Sequence, residues 1–196
     1  MGHRIIAFGL ILMTGLCGCA NMSADMHEKI HSRFFNVPSY SAQCEMTVIS
    51  NKTENKYEFV CTYDSIGNRY RIDYPDMTVI LSEDYARVIR SGSVVNVPSE
   101  EGNMLMFVNT FFESYYDGEK ASLSVGGTPS GGYTELEAEL KHPTRFGHKM
   151  RLWIDNKKIV PHIMRVYDRE DRETLSVAFS DFEFVKNEKN IEEKFD

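Results

Sequence analysis

The chain has 196 residues, and its 29 Asp and Glu outnumber its 22 Lys and Arg, for a net charge of −7. An acidic surface of that size argues against nucleic acid as a partner and against a polybasic face docking on anionic lipid. Six histidines (His3, His27, His31, His142, His148 and His162) are scattered without the clustering that a metal centre needs.

The first element is apolar. His3 and Arg4 precede a run from Ile5 to Leu16, followed by Cys17, Gly18 and Cys19. That run is shorter than the roughly 20 residues of a membrane-spanning helix and has the form of a lipoprotein signal peptide. Leu16 and Gly18 set cleavage before Cys19, whose thiol would carry a diacylglycerol. Cleavage before Cys17 would put Leu16 where a small residue is needed. The other reading is an ordinary secretory signal followed by an incidental cysteine. Loss of residues 1–18 leaves 178 residues with 21 basic and 29 acidic side chains, a net −8. The lipid, rather than the protein face, would then make the membrane contact.

Residues 19–24 are expected to form a short polar tether. Asp25 can cap a helix running to about Phe35, with Met26, Ile30, Phe34 and Phe35 on its apolar side, and Pro38 ends it. From Tyr40 the period changes to two. Cys44, Met46 and Val48 alternate with polar residues, as do Tyr57, Phe59, Cys61 and Tyr63, then Tyr70, Ile72 and Tyr74. Short strands at Met77–Leu81, Tyr85–Ile89 and Val94–Val97 follow. This is the pattern of an antiparallel sheet with one face covered. A turn through Asn51–Glu54 would set Cys44 opposite Cys61, a register that also pairs Met46 with Phe59. An exported protein permits a disulfide there, while free cysteines pack equally well as small apolar residues.

A helix interrupts the meander. Ser99 can cap it, Glu100 and Glu101 suit its positive end, and Met104, Phe107, Val108, Phe111, Phe112 and Tyr115 form a broad stripe that Asp117-Gly118 terminates. Phe107, Phe111 and Phe112 would either lid a greasy concavity or pack on the sheet as its core cover. Beyond it come a short strand at Ala121–Val125, a Gly-rich hairpin connection at 126–132 and an alternating segment through Leu136, Ala138 and Leu140. The last third holds three strands around Met150–Ile154, Ile159–Tyr167 and Leu175–Phe184. The apolar phase slips after Phe179, which predicts a bulge near Ser180-Asp181, and Pro161 belongs at a bulge or an edge. The tail at 187–196 is charged and expected to fray, leaving 25–186 as one domain. The fold class is mainly β (α+β), a long antiparallel sheet of roughly ten strands that must curl, with two helices on its inner face.

The helix followed by a meander with Tyr70-Arg71-Ile72, together with Leu152-Trp153-Ile154-Asp155, Val160-Pro161, Val166-Tyr167-Asp168 and Phe179-Ser180-Asp181-Phe182, resembles the LolA-like superfamily of outer-membrane lipoprotein carriers. Within it the lipobox and lengths are most similar to the clostridial spore germination lipoproteins of the GerS type. The resemblance implies a curved, incompletely closed antiparallel half-barrel. Soluble carriers of the superfamily shield acyl chains in the concavity, a task for which a chain itself acylated at Cys19 is poorly suited. The germination branch implies another role: a lipoprotein of the forespore membrane facing the cortex, partner of the CwlD-type N-acetylmuramoyl-L-alanine amidase that begins muramic-lactam formation. The chain itself would need no cofactor, zinc being the amidase's.

Little in the chain suggests catalysis. There is no nucleophile elbow, and although His142, His148 and His162 could meet in space, surface histidines in loops often do so by chance, and no carboxylate comes with a positioned histidine partner. A binding module must offer surface, and open sheets offer edges that recruit a partner's strand or a second copy, by exposed or exchanged strands. Tyr115, Tyr116, Arg165, Tyr167 and Arg169 have the aromatic and arginine character of interfaces. A carrier predicts a vacant hollow beneath Phe107, Phe111 and Phe112. A partner protein predicts a filled core with an exposed edge or patch, and a purely structural lipoprotein predicts neither.

Overall fold

The computed structural model describes residues 14–50, 52–82, 85–98, 106–118, 120–126 and 131–185, with Ile191 and Phe195, and side chains from Ser23 onward. The expected signal peptide up to residue 13 lies outside the described residues, as do the side chains of Cys17 and Cys19.

Among the described residues two helices, α1 (Thr14–Phe34) and α2 (Val108–Asp117), accompany eleven strands. The first six are β1 (Tyr40–Ile49), β2 (Glu54–Asp64), β3 (Arg69–Asp73), β4 (Thr78–Leu81), β5 (Tyr85–Arg90) and β6 (Ser93–Pro98). After α2 come β7 (Ala121–Val125), β8 (Tyr133–Glu139), β9 (Lys149–Asp155), β10 (Val160–Tyr167) and β11 (Glu173–Phe184). They form one antiparallel sheet in the order β6-β5-β4-β3-β2-β1-β11-β10-β9-β8-β7. Each half is a meander of sequence neighbours. The first and last strands pair to join the halves, and the sheet stays open, with β6 and β7 as its edges.

Alternation places the core on one face. Cys44, Met46, Phe59, Cys61, Tyr70 and Ile72 from the first half meet Leu136, Met150, Leu152, Ile154, Met164, Val166 and Val177 from the second, and α1 and α2 cover them with Met26, Ile30, Phe34, Phe111 and Phe112. Buried apolar side chains among the described residues run from Met26 to Phe195, so residues 23–196 contain every buried apolar side chain described.

The phase slip of β11 is a bulge. Ser41 pairs with Glu183 but Gln43 with Ser180, and Asp181 takes a positive φ of 48° to absorb the extra residue. Pro161 sits at a second irregularity, between Pro161 and Ile163, and pairs only with β9, so its missing N–H leaves no gap toward β11.

Four expectations need correction. Helix α1 starts at Thr14 and includes the residues read as a tether, where Ala20, Met22 and Ala24 favour a helix and Gly15 and Gly18 do not end it. Helix α2 starts only at Val108, with Phe107 at its N-cap and no side-chain cap bond; Ser99, Glu100, Glu101 and Met104 lie outside the described residues. Its end at Gly118 is as expected, since a Cβ there would collide with the carbonyl oxygen of Ser114. The β1–β2 register differs by two residues: Cys44 faces Phe59 and Cys61 faces Ala42. The cause is Ser50, whose hydroxyl pairs with that of Thr53 at 2.8 Å and accepts the Thr53 N–H at 3.1 Å, closing the turn at 50–53. Finally, the tail does not simply fray. Ile191 and Phe195 are buried on the outer face against Ile80, Ile89 and Val185, and the Arg69 guanidinium lies 4.3 Å over the Phe195 ring.

Candidate functional site

Two features distinguish a carrier from a binding protein, the concavity beneath α2 and the free edges of the sheet.

Aromatic side chains occupy the concavity. Phe107 stacks on Tyr70 with ring centroids 3.8 Å apart, Phe112 stacks on Phe34 at 4.5 Å, and Phe111 meets Phe112 edge-on at 5.3 Å. All three phenylalanines are fully buried. A cleft of about 290 Å³ opens beside Phe112 between α1 and α2, lined also by Phe35, Tyr63, Asn109, Glu113 and Tyr116. Partial desolvation there pushes the Glu113 carboxyl upward, against the pull of Lys141. Phe107 and Phe111 line none of the described cavities. The aromatic stripe therefore packs as core.

The two edges differ. Strand β7 turns Leu123 and Val125 toward the core and is in contact with α1. Strand β6 pairs only with β5, in unbroken register from Tyr85↔Pro98 to Arg90↔Ser93. Every residue of β6 is exposed, with Val94, Val95 and Val97 at 50%, 57% and 46% of full accessibility. Val95 and Val97 point to the core side of the sheet and Val94 to the other. Among the described residues, β6 carries no charged side chain, bulge or internal proline of the kind that opposes strand addition. The signal was in the sequence: Ser93-Val94-Val95-Asn96-Val97-Pro98 is an uncharged run whose valines do not alternate.

The five interface candidates fall in three places. Tyr115 is buried in the core, a correction that follows from its packing on Phe111. Tyr116 is half-buried and packs on Phe112 and His31. Arg165 and Tyr167 lie on the outer face within its own ladder: Arg165 pairs with Glu173 at 3.3 Å and covers Trp153, and Arg151 covers Tyr167 while bonding Glu137 at 2.6 Å. Arg169 projects from the β10–β11 loop. No single surface unites them.

Cys44 and Cys61 are buried free thiols on diagonal positions, which corrects the proposed pairing. Burial pushes the Cys44 thiol up to about 12 and that of Cys61 well above its usual range. His162 stacks on Tyr133 at 4.5 Å. Among the described residues no three His, Cys, Asp or Glu side chains converge to hold a metal ion, and no helix is long and apolar enough to cross a membrane.

The model of the YdcC-like sporulation proteins matches residues 3–195. No curated protein matches the chain. Among solved structures, the GerS lipoprotein of Clostridioides difficile, determined with the CwlD amidase, is 21% identical over 83% of this chain and 95% of that chain, with a TM-score of 0.47. A LolA superfamily protein of Nitrosomonas europaea is 11% identical over 87% and 96%, at 0.45. LprF of Mycobacterium bovis is 10% identical over 85% and 98%, at 0.46.

Proposed function

The chain belongs to the YdcC-like sporulation protein family, and from that premise we propose that it is an exported, non-catalytic lipoprotein that binds and activates the CwlD-type cortex amidase. Cys19 carries the lipid anchor and holds the folded domain at the forespore membrane facing the cortex. The amidase supplies the zinc and the hydrolysis; this chain supplies surface. The choice of an amidase rests on the sequence resemblance and on the family's sporulation role.

The observation that supports a partner protein over an acyl-chain carrier is the conjunction of a filled concavity with a bare edge. Phe107 and Phe111 occupy the space an acyl chain would need, whereas β6 offers unpaired backbone groups and exposed valines. A strand from the amidase can extend the ladder there, main-chain bonds giving affinity and alternate side chains giving specificity. The edge can also pair or exchange strands with a second copy.

The test is a pull-down of residues 23–196 with the purified amidase, with muramyl-peptide cleavage measured for each protein alone and for both. A stable complex that cleaves only when both are present is expected. Neither complex nor stimulation would overturn the reading and bring the carrier forward.

A further inference from the structure

Strands β8, β9, β10, β11, β1 and β2 lie side by side, so the loops 140–148, 168–172 and 50–53 emerge together at one end of the sheet. In a chain of net charge −7, these three loops reverse the balance, with five basic side chains (Lys52, Lys141, Arg145, Arg169 and Arg172) against three acidic ones (Asp168, Glu170 and Asp171). Lys52, Arg145, Arg169 and Arg172 are all exposed. Arg172 is engaged by Asp168 at 2.7 Å and Glu170 at 3.0 Å, whereas among the described residues Lys52, Arg145 and Arg169 have no ion pair. Phe146 stands at the loop tip with 57% of its surface exposed, and the Arg145 guanidinium lies 4.3 Å over its ring.

Two adjoining clefts separate these side chains. One, of about 460 Å³, runs between Ile49, Lys52, Arg145, Phe146, Asp168 and Arg172. The other, of about 450 Å³, lies between Pro143, Arg145, Arg169, Glu170 and Arg172. Arg145 and Arg172 are common to both. The loops around them are held in shape from within: Thr144 Oγ1 accepts the N–H groups of Phe146 and Gly147 at 3.2 and 3.1 Å, Asp168 Oδ1 accepts those of Glu170 and Arg172 at 3.0 Å, and the Thr174 hydroxyl donates to the Phe146 carbonyl.

We propose that this end is a membrane-docking surface for anionic phospholipid, with headgroup phosphates in the Arg145–Arg172 clefts and Phe146 entering the interface. A bilayer fits better than a free anion because the cations surround an exposed aromatic ring and Ile49, the mix of basic and aromatic groups that suits the headgroup level. Acidic side chains more than about 8 Å away are screened at physiological salt, and the two carboxylates that line the clefts, Asp168 and Glu170, are taken up by Arg172, which leaves Lys52, Arg145 and Arg169 to meet the phosphates. The surface orients the domain and is independent of which partner β6 takes. It also amends the expectation, drawn from net charge, that the protein face makes no membrane contact.

Vesicle sedimentation of residues 23–196, which lack the anchor but hold every buried apolar side chain described, tests this. Binding to vesicles of equal parts phosphatidylglycerol and phosphatidylcholine, weak binding to phosphatidylcholine alone and loss in high salt are expected. Arg145→Glu and Phe146→Ser should each lower the bound fraction about tenfold, while Ile66→Ser, equally exposed at the opposite end, leaves it unchanged. No preference for the anionic vesicles, or wild-type binding by both loop variants, overturns the proposal. So does loss with Arg145→Glu alone combined with competition by glycerol phosphate, which would mark an anion site without a bilayer.

Discussion

The rings of Tyr70 and Phe107 lie nearly parallel, 17° between planes with centroids 3.8 Å apart, and this stack pins the start of α2 to the middle of β3. Helix α2 has no side-chain cap, so the contact fixes its position where a hydrogen bond ordinarily would. Phe107→Ala should destabilise the domain by about 3–5 kcal/mol, as other buried phenylalanine truncations do. Urea unfolding measures it. If Phe107 were a lid over empty space, the cost would be well under this range. Combining it with Tyr70→Ala should give less than the sum of the two single effects, because the residues share a contact.

The buried thiols make a pH prediction. An unfolded cysteine titrates near 9.0, whereas burial holds Cys44 protonated to about 12 and Cys61 shifts in the same direction. The stabilisation is complete below the unfolded value. Above it the unfolded chain loses protons that the folded chain retains, so stability falls by about 1.4 kcal/mol per pH unit for each thiol until the folded thiol itself ionises. Under reducing conditions the urea midpoint should hold up to about pH 9 and drop from there toward about pH 12. A Cys44→Ala/Cys61→Ala variant should show a shallower drop, the remainder coming from the buried phenols of Tyr40 and Tyr70, which burial shifts upward as well.

What the sequence disclosed follows from how local each determinant is. Period-two alternation reveals strands because the side-chain faces are set by neighbouring residues, and the slip from Phe179 to Phe182 exposed the Asp181 bulge by the same logic. Register is less local. The Ser50 hydroxyl closes its turn one residue early, and that shift moves Cys61 from Cys44 to Ala42. The site was harder still. Alternating residues look the same whether a concavity is filled or empty, so only the Tyr70 and Phe34 partners of Phe107 and Phe112 decide it. Ile191 and Phe195 were hidden by the charges around them, although their spacing of one helical turn was the available signal.

The tail anchors carry a measurable share of stability. Phe195 and Ile191 cover Ile80 on the face away from the main core, and Arg69 stacks on Phe195 while also bonding Asp64 at 2.8 Å. Phe195→Ala should cost about 2 kcal/mol, the value of burying one such ring. Amide exchange should then quicken in β4 and β5, beneath the patch, and remain slow in β9 and β10. Unchanged exchange in β4 would mean that the tail does not dwell there in solution.

The edge valines separate binding from folding. Val95 is 57% exposed and pairs only with Val88 of β5, so Val95→Lys should change stability by no more than about 0.5 kcal/mol. A lysine on an open edge opposes strand addition, because the incoming strand would have to bury or displace the charge. If the amidase adds a strand to β6, affinity for it should fall about thirtyfold, the effect of losing one strong interface anchor. Isothermal titration of the amidase into each variant reads this directly, and Ile66→Ser, at an equally exposed loop, serves as the neutral control. Wild-type affinity in Val95→Lys would place the amidase elsewhere on the domain. Loss of self-association in light scattering with the amidase affinity retained would assign the edge to a second copy of this chain.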